Sequence, residues 1–69
     1  MIQCTRRDDG GYNIKDRTGA TIGYVDGNEK LFGIGFDGYA VEIKSVDSWM
    51  EALKCLQEWR KAREVFPSQ

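Results

Sequence analysis

The sequence predicts an α+β domain, an antiparallel β-meander of four to five strands packed against one C-terminal α-helix. Three observations lead there. The first two thirds of the chain is a series of short alternating segments broken by Gly and Asp. The last third has helical spacing and almost no glycine. With suitable turn lengths, the apolar residues of all the short segments fall on one side, where a helix can cover them.

The strands are expected at roughly 2–7, 11–16, 20–25, 31–36 and 39–44. A loop around Asp8-Asp9-Gly10 puts Ile2 and Cys4 on the face that carries Tyr12 and Ile14. Those two match Ile22 and Tyr24 if Arg17-Thr18-Gly19 is a three-residue loop with Gly19 at positive φ. A turn through Asp26-Gly27-Asn28-Glu29-Lys30 sets Tyr24 on the same face as Phe32. A two-residue loop at Asp37-Gly38 then places Phe36 opposite Tyr39, Ile34 opposite Val41 and Phe32 opposite Ile43, all facing the core. The other face would carry Thr5, Arg7, Asn13, Lys15, Thr21, Gly23, Val25, Leu31, Gly33, Gly35, Glu42 and Lys44.

The helix is expected to begin after Ser45, since Ser45, Asp47 and Ser48 offer capping oxygens and Ser48 with Glu51 has capping-box spacing. Trp49, Ala52, Leu53, Leu56 and Trp59 form its apolar stripe, with Trp49, Leu53 and Leu56 as core, Met50 off it, and Pro67 ending it. Trp59, Ala62 and Phe66 continue the stripe as a candidate self-association surface.

The totals bound the function. At 69 residues the chain is a single domain over residues 1–66 with a tail at 67–69, near the lower limit of what a hydrophobic core alone can stabilise, so a homo-oligomer is expected. No apolar run is long enough to span a membrane or act as a signal peptide, and a cytoplasmic location is the expectation. The net charge of −1 gives no whole-molecule field for nucleic acid, although a local basic patch is compatible with it. The absence of histidine removes the usual zinc sets and every Cys-His or Ser-His arrangement. Cys4 and Cys55 are expected to be two buried thiols rather than a disulfide. No cofactor, metal site or catalytic residue is expected.

One motif invites a different view. G33-I-G-F-D-G38 fits the phosphate-loop pattern G-x-G-x-x-G, with A40-V-E-I-K44 behind it like a kinase lysine strand. A dinucleotide fingerprint needs a helix straight after the glycines, and here a strand follows. The lysine also arrives on the strand leaving the turn itself, and the chain has no room for the other kinase segments. The carboxylates Asp8, Asp9, Asp16, Asp26 and Asp37 all sit at expected turns, where Asp bonds its own backbone. The mixed charges of the helix, Lys54, Arg60, Lys61 and Arg63 among Glu51, Glu58 and Glu64, fit a solvated face. The surface left for binding is the sheet face away from the helix. Its candidate residues are Arg6, Arg7, Lys15, Arg17, Lys30, Gly33, Gly35 and Lys44, the glycines allowing a close approach.

The segment V41-E-I-K-S-V-D-S-W49-M-E-A-L53 resembles the end of the single-stranded-DNA-binding transcriptional coactivator family. That resemblance implies a curved antiparallel sheet that dimerises through its helix and holds DNA on its concave face. The segment G11-Y-N-I-K-D-R-T-G-A-T-I-G23, followed by more strands and S45-V-D-S-W49-M-E-A-L53, resembles small phage- and plasmid-encoded accessory proteins, which implies a regulator or inhibitor working by protein contact. The expected function is therefore a small non-enzymatic binding module of that second kind, as a homodimer. The alternative is a single-stranded nucleic-acid binder using the basic sheet face.

Overall fold

The computed structural model describes residues 2–35 and 37–65. Strands β1 (Gln3–Arg6), β2 (Tyr12–Lys15), β3 (Thr21–Val25), β4 (Lys30–Ile34) and β5 (Ala40–Ser45) form one antiparallel sheet in sequence order, and α1 (Trp49–Val65) packs across one of its faces. The α+β meander with a C-terminal helix is thus the observed architecture.

A single turn design joins all the strands. The N–H of the first turn residue donates to the carbonyl four residues on, Arg7 to Gly11, Asp16 to Ala20, Asp26 to Lys30 and Gly35 to Tyr39, at 2.9–3.0 Å. The fourth residue of each turn takes positive φ, at Gly10 (93°), Gly19 (89°), Glu29 (64°) and Gly38 (86°). This is the three-residue hairpin loop whose last residue is left-handed, a twist that matches that of the flanking strands. Aspartates hold it in two ways. Asp16 and Asp26, in first position, each accept two backbone N–H groups, from Thr18 and Ala20 and from Asn28 and Lys30. Asp9 and Asp37, in third position, accept from Gly11 and Tyr39.

The last turn corrects an expectation. Gly35 and Tyr39 close it around three residues, 36–38, where the sequence suggested the two-residue loop Asp37-Gly38. The expected pairing of Phe36 lies outside the described residues. The extra loop residue slips β4 against β5, so Phe32 faces Glu42, Gly33 faces Val41 and Ile34 faces Ala40.

Two irregularities shift the alternation further. Ile14 pairs with Gly23 and Lys15 with Thr21, leaving Ile22 as an extra residue in β3. Leu31 pairs with Lys44 and Phe32 with Glu42, leaving Ile43 extra in β5. Residues directly opposite share a face, so the helix side carries Tyr12, Ile14, Gly23, Val25, Leu31, Gly33 and Val41. The other side carries Asn13, Tyr24, Phe32, Ile34 and Glu42. For β3 and β4 this inverts the expected faces, because a one-residue change of register turns every side chain over. Tyr24, Phe32 and Ile34 leave the core, while Val25, Leu31 and Gly33 enter it.

The helix decides that inversion. A Cβ built on Gly33 would stand inside the Trp59 ring, and one on Gly23 would stand 3.0 Å from both Leu56 methyls. Ile14, Leu31, Ala52 and Leu56 are fully buried, joined by Ile22, Val25 and Val46. Trp49, Leu53, Cys55 and Trp59 border this core, and Met50 is 76% exposed, off the stripe as expected. Ser48 Oγ accepts the Glu51 N–H at 3.2 Å and the Glu51 carboxylate accepts the Asp47 N–H at 2.9 Å, a capping box displaced by one residue on its return bond. The Val46 N–H donates to the Glu29 carbonyl at 2.9 Å, tying the helix entry to the β3–β4 turn. The expected helix end at Pro67 lies outside the described residues.

Two substitutions read these features. Gly33→Ala is expected to cost about 1–3 kcal/mol in urea unfolding, the usual penalty of overpacking; on a bare outer face it would be near neutral. Glu29→Gly is expected to raise stability by about 1 kcal/mol, because it removes a left-handed non-glycine residue from an exposed turn. A lower melting temperature for Glu29→Gly would contradict this.

Candidate functional site: the open sheet face

One residue from each strand forms a row across the uncovered face, Thr5, Asn13, Tyr24, Phe32 and Glu42, each opposite the next. Tyr24 and Phe32 stack at its centre, with ring centroids 4.8 Å apart and planes inclined by 14°. The Arg7 guanidinium lies 4.2 Å from the centroid of the Tyr24 ring. It also donates to Asn13 Oδ1 at 3.2 Å and pairs with Asp9 at 3.3 Å. Asn13 in turn donates to Thr5 Oγ1 at 3.5 Å. The three groups Arg7, Tyr24 and Phe32 therefore form a continuous stack, and the planar cation at its end is oriented by an acid, an amide and a ring. At the far end of the row Lys30 pairs with Glu42 at 3.6 Å.

The expected site residues divide between the two faces. Arg7 and Lys30 belong to the open face, as does Lys15, which stands opposite Gln3 and Thr21. Arg17 is exposed in the β2–β3 turn. Arg6 stands opposite Tyr12, on the helix side, and Lys44 reaches Glu51 of the helix at 3.5 Å, so neither belongs to the face assigned to it. Gly33 lies beneath Trp59, and Gly35 closes the last turn; neither bares the open face. Trp59 packs at the border of the core, Ala62 is exposed on the helix, and Phe66 lies outside the described residues. Cys55 is half-buried, but Cys4 is exposed on the edge strand β1, against the expectation of two buried thiols. Thr5, Asn13 and Glu42 stand on the face where the sequence placed them, whereas Tyr24 and Phe32 are the members of the row that it assigned to the core.

Three carboxyls have pKa values below their ordinary range. For Asp9 the chief cause is the Gly11 N–H, then the Arg7 side chain. For Asp16 it is the Thr18 hydroxyl, then the turn N–H groups. For Glu51 it is the Asp47 N–H, then Lys44. Among the described residues no group of three or more His, Cys, Asp or Glu side chains could hold a metal ion, and no helix is long and apolar enough to cross a membrane.

The fold and this face define a small α+β domain that presents a preorganised cation–aromatic stack on an open sheet. Set against known protein families, curated proteins and solved structures, the chain matches none of them.

The lowered carboxyls make acid the sensitive direction. A carboxyl with a lower pKa in the folded state contributes stability above its unfolded pKa and loses it as pH falls through the folded value. With no histidine in the chain, the melting temperature is expected to be flat between about pH 5 and 8 and to fall below about pH 4. Glu51→Gln should make the fall shallower, because one of the contributing groups is gone. A melting temperature unchanged down to about pH 2.5 would exclude a role for these bonds.

Proposed function

We propose that the chain is a small non-enzymatic binding module that acts on another protein through its open sheet face, as an accessory regulator or inhibitor of the kind carried by phages and mobile elements, and that it does so as a homodimer. The observation that carries this reading is the Arg7–Tyr24–Phe32 stack. Arginine and large aromatic residues dominate the energy of protein interfaces when they sit at the centre of a patch with a polar rim. Here Tyr24 and Phe32 sit in the middle of the row, between Thr5 and Asn13 on one side and Glu42 on the other, with Arg7 over the Tyr24 ring. Asp9 and Asn13 hold the guanidinium in place before any partner arrives, which lowers the entropy cost of binding. Charges of both signs, Arg7 with Asp9 and Lys30 with Glu42, suit a protein surface of mixed charge better than a polyanion. For self-association the support is the edge strand β5, with Val41 43% exposed on it and Tyr39, just before it, 73% exposed.

One observation favours a second reading. The aromatics stand on the open face beside Arg7, Lys15 and Lys30, and stacking platforms flanked by cations are how open sheets hold single-stranded nucleic acid.

Affinity capture from the native host with the wild-type chain and with Arg7→Ala decides between them. The protein-contact reading expects a retained protein that Arg7→Ala releases, with an affinity loss of about 2 kcal/mol or roughly 30-fold. It also expects no retention on a single-stranded oligonucleotide at low salt. Retention there, weakening steeply as salt rises, would establish the nucleic-acid reading instead. A monomer in sedimentation at high concentration would remove the homodimer.

A further inference from the structure

On the helix side, away from the open face, Tyr12 and Trp49 meet edge to face, with centroids 5.4 Å apart and planes at 61°. Beside this pair lies a hollow of about 190 Å³ between the sheet, the β3–β4 turn and the first turn of α1. Val25 and Val46, each 3% exposed, form its floor. Tyr12 and Trp49 line it together with Glu29, Asp47 and Ser48, which are exposed.

Neither the Glu29 nor the Asp47 carboxylate has a hydrogen-bond or ion-pair partner among the described residues. The neighbouring cations are committed elsewhere, Lys30 to Glu42 and Lys44 to Glu51. The positive end of the helix is answered by Ser48 and Glu51, which take the Glu51 and Asp47 N–H groups. The negative field reaches into the hollow. The Tyr12 phenol is pushed above its ordinary pKa, chiefly by burial and then by the charges of Cys4 and Glu29. An apolar floor, two aromatic rings and two unpaired carboxylates are complementary to an alkyl chain that ends in a cation.

We propose that this hollow binds the side chain of a lysine presented by a protein partner. The four-carbon stem lies on Val25 and Val46 alongside the Tyr12–Trp49 pair, and the ammonium reaches Glu29 and Asp47. The proposal rests on the reading that the partner is a protein, and it adds a second contact on the side opposite the Arg7–Tyr24–Phe32 stack. Glu29 is dispensable for its turn, since the three equivalent turns place glycine at the same position. Its carboxylate can therefore be removed without harming the fold.

The test is an NMR titration of the intact chain with Nα-acetyl-lysine N-methylamide, with the Nε-acetylated compound as the neutral control at matched ionic strength. The lysine compound is expected to give saturable shifts at the Trp49 indole N–H and the Val46 and Asp47 amides. The neutral control should bind about tenfold more weakly, as the loss of the cation–ring and carboxylate contacts requires. Glu29→Gly and Asp47→Asn should each weaken lysine binding several-fold while unfolding stays cooperative. Equal binding of the neutral control would show an apolar hollow with no preference for a cation. Absence of saturable shifts, or unchanged binding in both variants, would also overturn the proposal. Lysine binding without any captured protein partner would keep the hollow and reject the protein-contact reading instead.

Discussion

The structure depends on the fit of two helix side chains over two glycines. Gly23 and Gly33 face each other across β3 and β4, and Leu56 and Trp59 lie on them. No other residue leaves enough room there, because a single methyl group on either glycine would overlap a helix side chain or the neighbouring strand. Strand alternation does the rest. With Gly23 and Gly33 turned toward the helix, their neighbours Tyr24 and Phe32 must turn away from it. The packing of the core and the aromatic stack on the open face are thus two results of one arrangement. Val25 and Leu31, one residue further along each strand, return to the helix side and fill the core beside the glycines.

The turns make this arrangement reproducible along the chain. Each of the four hairpins closes on the same three-residue loop with a left-handed last residue, so each strand enters the sheet with a defined register. Glycine relieves the strain in three of them; Glu29 bears it in the fourth, the turn whose carbonyl anchors Val46 at the helix entry. The two bulges work with the turns. Ile22 and Ile43 are the extra residues, and both contribute to the helix-side core, Ile22 buried and Ile43 packed at its border. In a domain this small a core of seven buried apolar residues leaves a thin margin, so local turn bonds and the helix cap matter more than they would in a larger protein.

The two faces of the sheet have different characters. The open face is polar at its edges and organised around a guanidinium held by Asp9, Asn13 and Tyr24. The helix side holds the apolar core, and Glu29 and Asp47 are among the residues that line its hollow by the first turn of α1. The basic residues scattered through the sequence do not gather on either face. Arg6 and Lys44 lie on the helix side, Arg7, Lys15 and Lys30 on the open side, and the ion pairs that form join opposite charges locally.

Much of this was legible from residue patterns alone. Alternation, the Asp- and Gly-rich turns and the Ser48 to Glu51 spacing determined the class of fold, the order of its elements, the positions of its turns and the start of its helix, because each is a local preference of a few neighbouring residues. That Tyr24 and Phe32 share a face, and that the second loop ends at Gly19, were determined in the same way. Which face those aromatics occupy was decided only in three dimensions. A two-residue loop at Asp37-Gly38 and a three-residue one are both compatible with the local sequence, and the bulges at Ile22 and Ile43 leave no mark in it. Each of these choices moves the alternation by one residue and turns a strand over. What selects among them is volume: Trp59 and Leu56 need bare backbone beneath them, and only the helix, folded back onto the sheet, puts that demand on Gly33 and Gly23.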